Sequence, residues 1–358
     1  MRYIATENLQ PGHKLADNLK YANGTVLLRK GKALTPSLIR KIGILGYQGL
    51  YVDDELSAGI EINDIISADL RMRTRSQLEL LFHNVEYNIT SGVKKNVKSV
   101  KSLAEEIVDE ILNNRETMIN IIDLRNYDDY TYSHSLNVTV LSVVMGTALG
   151  LARSTIYDLA VGALVHDTGK MFIPKEILHK PSRLTDEEFE EIKKHSELGY
   201  RYLCANFDIP DDSKTATLQH HEKYSGGGYP NGIAGEEIHE FGRIISVADV
   251  YDALTSDRPY RGAMLPSDAI EYIMAGYGTM FDPDIVKAIT QKVAPYPIGT
   301  CVRLSTGQDA IVVKNYEATS LRPLVRLIKD GKPSSECIDL TNDRSSLSIT
   351  VKEIINVK

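Results

Sequence analysis

The chain has 358 residues, a formal net charge of −7 and only three cysteines. That length predicts two or three domains with a sizeable core. The acidic balance excludes a general DNA or RNA binder, which would carry a basic excess. No apolar run is long enough for a membrane span, and the N-terminal "MRYIATENLQ" is not a signal peptide. Cys204, Cys301 and Cys337 are far apart, which suits the reducing cytoplasm better than a disulfide framework.

Residues 1–64 read as a small β-rich N-terminal domain with one helix. "HKLADNLKY" and "TVLLRKGKAL" flank Asn23-Gly24, a hairpin turn signal. Thr35 and Pro36 are placed as N-cap and first residue of the helix "PSLIRKIGILG", and "GLYV" follows as a closing strand. Residues 65–125 turn helical, with Gly92 separating a helix that carries Leu78, Leu81 and Val85 from a second one. On that second helix Val93, Val97, Val100, Ala104, Ile107 and Ile111 recur at spacings of four and three, the pattern of a heptad seam. The seam suits either an amphipathic pair packed on the next domain or a stalk joining a homodimer. Residues 126–294 read as consecutive helices. After Pro295, "CVRL", "AIVV", "LVRLI", "ECIDL" and "SLSITV" mark the strands of a small β C-terminal domain over residues 295–358. The two flanking β domains are the expected meeting points for signalling proteins.

The chemistry lies in the helical region. His134, His166-Asp167, His195, His220-His221 and Asp249 follow one another at gaps of 32, 28, 25 and 28 residues. Each gap fits one helix and a loop, so each candidate comes from a different helix of a bundle. His134 begins the apolar stripe Val138, Leu141, Met145 and Ala148, and His166-Asp167 ends the apolar run "LAVGALV". Gly242, Ser246 and Ala253 share a helical face with Asp249 and leave room beside its carboxylate. Any one of these residues alone reads as an ordinary core or helix-end residue, with Asp249 paired to Arg243. Together in one bundle they would be buried ionisable groups lacking partners, which is costly. A metal cation supplies one partner to all of them.

Five histidines and two carboxylates without cysteine disfavour structural zinc and iron–sulfur clusters. They suit iron, manganese, zinc, nickel or cobalt. Seven ligands exceed what one ion takes with a position left open, so two divalent ions sharing Asp167 as a bridge are expected. Adjacent His220 and His221 converge only where the backbone leaves regular helix, because helical neighbours diverge by about 100°. The glycines of "HHEKYSGGGYPNG" permit that exit and let the backbone approach a bulky ligand.

These motifs carry a family resemblance. "HDTGK" resembles the signature of the HD phosphohydrolase superfamily, and "HHEKYSGGGYPNG", with Gly228-Tyr229-Pro230, resembles that of its HD-GYP branch. "YTYSHSLNV", "HSELG" and "IISVADVYDALTSDRPYR" resemble the same branch in the same order, over roughly residues 126–290. The resemblance implies a mainly α fold, an HD-type helical bundle between the two small β-rich domains. It implies metal-dependent hydrolysis of cyclic di-GMP, a bacterial second messenger, to linear pGpG or GMP by a metal-activated hydroxide. By position it implies His134, His166, Asp167, His195, His220, His221 and Asp249 as metal ligands. Asp167 and Lys170 are then the catalytic pair, with Lys170 on a phosphate, and Tyr229, Arg258 and Arg261 contact the dinucleotide. Tyr130 stands where trinuclear members carry Glu, which favours two ions, and Ser225 stands where Asp is usual. The alternatives are a phosphodiesterase for another cyclic dinucleotide, such as cyclic GMP-AMP, and a receptor or adaptor that binds without turnover.

Overall fold

A computed structural model of the chain describes residues 1–20, 25–45, 47, 49–62, 64–87, 89, 93–114, 118–119, 130–180, 182–256 and 262–357. The chain forms two compact units. One comprises Met1–Asp64, Thr117–Asp129 and Val293–Lys358, and the other Ile65–Glu116 and Tyr130–Lys292.

The first unit joins the two β segments that the sequence places in separate domains. Its N-terminal part holds β1 (Arg2–Ala5), β2 (Lys14–Leu15), β3 (Leu19–Lys20), β4 (Val26–Leu28), α1 (Pro36–Ile44) and β5 (Gly49–Asp53). The antiparallel order is β1-β5-β2, so "GLYV" lies at the centre of its sheet, and β3 pairs with β4. The Asn23-Gly24 turn expected between β3 and β4 lies outside the described residues. Thr35 caps α1 as expected, its side chain accepting from Leu38 N with Pro36 at the first turn.

The C-terminal part is one antiparallel sheet in the order β10-β6-β7-β8-β9, from β6 (Cys301–Leu304), β7 (Asp309–Lys314), β8 (Leu324–Lys329), β9 (Lys332–Asp339) and β10 (Val351–Ile354). "SLSITV" differs from expectation. The Asp343 side chain accepts from Ser345 N and caps a short 3-10 turn there, so the strand starts only at Val351. Buried Arg2 explains why the two ends fold together. It donates to Asp54 Oδ2 at 2.7 Å and to the carbonyl of Val357 at 3.2 and 3.3 Å. Arg326 donates to the carbonyls of Leu56 and Ala58, and Leu56, Ile60, Cys301 and Ile311 share one apolar cluster.

The second unit is helical: α2 (Ala68–Glu86), α3 (Val93–Asn113), α4 (Tyr130–Ala148), α5 (Arg153–Val165), α6 (Lys175–Leu178), α7 (Asp186–Asn206), α8 (Asp211–Gln219), α9 (Glu240–Thr255), α10 (Pro266–Ala275) and α11 (Pro283–Lys292). Helix α4 is buried on all sides by Leu136, Val138, Val140, Leu141, Val143, Val144 and Met145, which makes it the central helix. It packs on α5, α9 and α11. The α3 seam is buried at Val97, Val100, Ala104, Ile107 and Ile111 against helices of its own unit, chiefly α2 and α5. The seam is therefore filled within the chain. No helix among the described residues is long and apolar enough to cross a membrane.

One close approach positions the site. The 3-10 turn Thr168–Phe172 lies directly on the backbone of α7. A Cβ at Gly169 would fall 1.8 Å from the carbonyl oxygen of His195 and 2.6 Å from Gly199 N. Both obstacles are backbone, so neither can rotate away. Gly169→Ala should lower the thermal midpoint by several degrees, reflecting about 1–3 kcal/mol of overpacking, and weaken metal retention with it. A variant that melts with the unsubstituted protein would show that this contact is loose.

Candidate metal centre

Five elements deliver the expected ligands to one buried place. His134 stands on α4, and His166 is the C-cap of α5 with Asp167 next in the chain. His195 lies within α7, and Asp249 lies on α9. Helix α8 ends at Gln219, so His220 is its C-cap and His221 lies beyond it, which meets the condition for adjacent histidines to converge. The two rings are 4.0 Å apart.

The side chains form two groups. In one, donor atoms of His134, His166 and Asp167 all lie within 4.8 Å of one another; in the other, those of His195, His220 and His221 do. Both carboxylates sit between the groups. Asp167 Oδ2 is 3.5 Å from His134 Nε2 and 3.4 Å from His166 Nε2, while its Oδ1 is 3.7 Å from His195 Nε2. Asp249 Oδ1 is 3.1 Å from His134 Nε2, and its Oδ2 is 3.8 Å from His221 Nδ1. Asp249 is therefore not paired with Arg243, whose guanidinium donates to Asp282 instead.

The rings are fixed by local backbone. His166, His195 and His220 each place Nδ1 2.7–2.8 Å from the carbonyl three residues earlier: Ala163, Ile192 and Thr217. A carbonyl only accepts, so Nδ1 carries the proton and the Nε2 lone pair faces the cluster. His195 Nε2 lies 3.3 Å from His220 Nε2 and 3.1 Å from His221 Nε2. Three imidazole nitrogens this close, two of them lone pairs, repel unless a cation lies between them. His166 Nε2 and Asp167 Oδ1 are buried without a hydrogen-bond partner among the described residues. Buried orphan acceptors of this kind, in a set of imidazole and carboxylate donors, suit a divalent metal.

Protonation differs between the two groups. Burial, the largest effect, lowers His195 to about 4 and His221 to about 3, and holds His220 well below its ordinary value. Burial also pushes both carboxyls up. For Asp167 the Lys170 ammonium beside it leads the interactions that outweigh burial, and for Asp249 the hydrogen bond and charge of His134 do, so both lie well below the carboxylate range. Burial opposes the charged form of His134 too, but hydrogen bonds to Asp249 and Asp252 raise it to about 9. The neutral imidazoles of one group and the ionised carboxylates are the protonation states a metal needs.

A pH dependence follows for the metal-free protein. His195 and His221 have folded values below the ordinary 6.5, so the folded chain binds fewer protons than the unfolded one as the pH falls. Their contribution to stability is present above 6.5 and is lost as the pH falls from 6.5 to about 4 for His195 and to about 3 for His221. His134 acts oppositely, its contribution fading from 6.5 to about 9. Chelator-stripped protein should melt lower at pH 5 than at pH 7, with a smaller drop in His195→Gln. Equal midpoints at the two pH values would contradict these assignments.

Lys170 and Tyr229 rim the centre. Lys170 Nζ donates to Asp167 Oδ2 at 2.5 Å, and its side chain is 21% exposed. The Tyr229 ring stacks on His221 at 4.6 Å. Burial, and then Asp249 and Asp167, push its hydroxyl above the ordinary tyrosine value. Gly226 and Gly227 have φ of 89° and 75°, which an L side chain rarely adopts. A Cβ on Gly228 would meet Glu222 Cα at 2.4 Å and the His221 carbonyl at 2.6 Å. The close approach expected toward a ligand is at this glycine an approach of the loop to its own chain. Arg258, Arg261 and the side chain of Tyr130 lie outside the described residues.

Three supporting residues escaped the sequence reading. Buried Asp252 contacts His134, Asn137 donates to Asp252, and buried Glu222 Oε1 accepts from Asn231 N at 2.7 Å and Gly232 N at 3.1 Å, tying down the loop that carries Tyr229. The signal for the first two was present. Asn137 follows His134, and Asp252 follows Asp249, at the three-residue spacing of one helix face.

Known proteins resemble this chain in sequence and in fold. The family described as HD domain matches residues 116–285. A cyclic di-GMP phosphodiesterase of Thermotoga maritima is 30% identical over 302 residues, covering 80% of this chain and 82% of the relative. A cyclic di-GMP phosphodiesterase of Pseudomonas aeruginosa is 36% identical over 225 residues, 63% of this chain but only 54% of the relative. Among solved structures, an HDG"Y"P protein from Bdellovibrio bacteriovorus superposes with a TM-score of 0.53 at 18% identity, covering 80% of this chain and 97% of that one, a likeness of fold.

Proposed function

The chain belongs to the HD-GYP branch of the HD domain family, and from that premise we propose that it is a metal-dependent phosphodiesterase hydrolysing cyclic di-GMP to linear pGpG, GMP or both. The observation that carries this reading is the buried pair of ligand groups with Asp167 and Asp249 between them. His134, His166 and Asp167 would hold one divalent ion, and His195, His220 and His221 a second, with Asp167 and Asp249 as further ligands from between the two groups. Iron or manganese is proposed, with zinc, nickel and cobalt as alternatives. When bound, such ions supply Lewis-acid activation of the attacking water and neutralise charge on the phosphate.

The chain's own residues do the rest. Carbonyl-anchored rings keep the Nε2 lone pairs of His166, His195 and His220 aimed inward before any ion arrives, which avoids reorganisation. Lys170 carries the cation beside Asp167 that would meet a phosphate oxygen where charge accumulates. Tyr229 keeps its hydroxyl proton and would give the dinucleotide a hydrogen bond, with its ring held on His221. Arg258 and Arg261 are proposed to take phosphate or guanine edges through paired hydrogen bonds. A cytoplasmic location is proposed, a compartment that suits the three free thiols. Signalling partners would meet the β-rich unit. A homodimer through residues 65–125 would need a face other than the Val97–Ile111 seam.

The test is turnover by stripped protein reloaded with manganese or ferrous iron, offered cyclic di-GMP and cyclic GMP-AMP separately. Cleavage of cyclic di-GMP that stops on adding chelator is expected. Cleavage of cyclic GMP-AMP alone would reassign the substrate, and tight binding of cyclic di-GMP without cleavage would make the chain a receptor.

A further inference from the structure

His134 is held unlike the other anchored histidines. Its Nδ1 lies 2.7 Å from Asp252 Oδ2, a carboxylate oxygen, where His166, His195 and His220 use backbone carbonyls. Asp252 is 1% exposed, and its other oxygen accepts from Asn137 Nδ2 at 2.8 Å. Ser256 Oγ adds a longer contact of 3.4 Å to Oδ2.

The placement follows from helix pitch. Helices α4 and α9 pack together, and each carries one ligand candidate and one support three residues later: His134 with Asn137, and Asp249 with Asp252. A carboxylate that accepts Nδ1–H fixes the ring's tautomer and orientation more strongly than a neutral carbonyl and makes Nε2 the better donor. His134 Nε2 is thereby aimed at Asp249, 3.1 Å away, and Asp167, 3.5 Å away. The anchored rings of the other group rest on neutral carbonyls.

We propose that Asp252 is a positioning residue that, held by Asn137 and acting through His134, makes the His134–His166–Asp167 half of the centre the tighter metal half. This rests on the two-ion reading above. The test uses the full chain, stripped and titrated with cobalt(II) against a competing chelator, with the cobalt absorption bands reporting each half. His134→Gln and His195→Gln identify which equivalent belongs to which half. In Asp252→Asn the equivalent lost in His134→Gln should weaken about 10- to 100-fold while the other is unchanged. Asn137→Ala leaves the carboxylate in place and should weaken the same equivalent several-fold, so the proposal stays open to refutation if Asp252→Asn does not fold. Unchanged cobalt affinity in Asn137→Ala, or equal weakening of both equivalents in Asp252→Asn, would overturn it while the two-ion reading stands. If the unsubstituted chain took up no cobalt, both would fall.

Discussion

Asp167→Ala should abolish cyclic di-GMP turnover, by more than about a thousandfold, and strip the centre of metal. The Asp167 carboxylate lies within 3.7 Å of nitrogens on His134, His166, His195 and Lys170, so it reaches both ligand groups from between them. Deleting it leaves buried nitrogens of both groups around a void, and breaking a buried charge constellation from one side costs about 3–5 kcal/mol. Elemental analysis of the purified variant beside a turnover assay checks this. A variant holding the normal metal complement and keeping a tenth of the rate would refute the bridging role.

Lys170→Ala should behave differently, keeping its metal while turnover falls by on the order of a hundredfold or more, the loss of about 2–4 kcal/mol of transition-state stabilisation. The ammonium sits 2.5 Å from Asp167 Oδ2, so its removal frees that oxygen for an ion. An unchanged rate would remove Lys170 from the mechanism. Loss of metal with the rate would show that its task is to hold Asp167.

Much of the site was legible in the sequence because its signals are local. The gaps of 25 to 32 residues between candidates do place each on a different helix or at its end, and the chain does leave regular helix at His220-His221. The α3 seam was legible as apolar, but periodicity alone does not say which surface fills it; α2 and α5 do. The union of the two β segments was not legible, since Arg2 reaches Val357 and Arg326 reaches Leu56 across most of the chain, where no local pattern records the pairing. The strand expected at "SLSITV" gave way because Asp343 caps a turn more strongly than the β-branched residues favour extension. Asp252 and Asn137 were passed over because an aspartate and an asparagine on helices read as surface residues until both prove buried against His134.

The proposed two-ion centre is tested most directly by anomalous diffraction from crystals of the manganese-loaded protein. Two fully occupied peaks are expected on either side of Asp167, one bounded by His134 and His166 and the other by His195, His220 and His221. A third fully occupied peak, above all one ligated by Tyr130, or no peak among these residues, would contradict it.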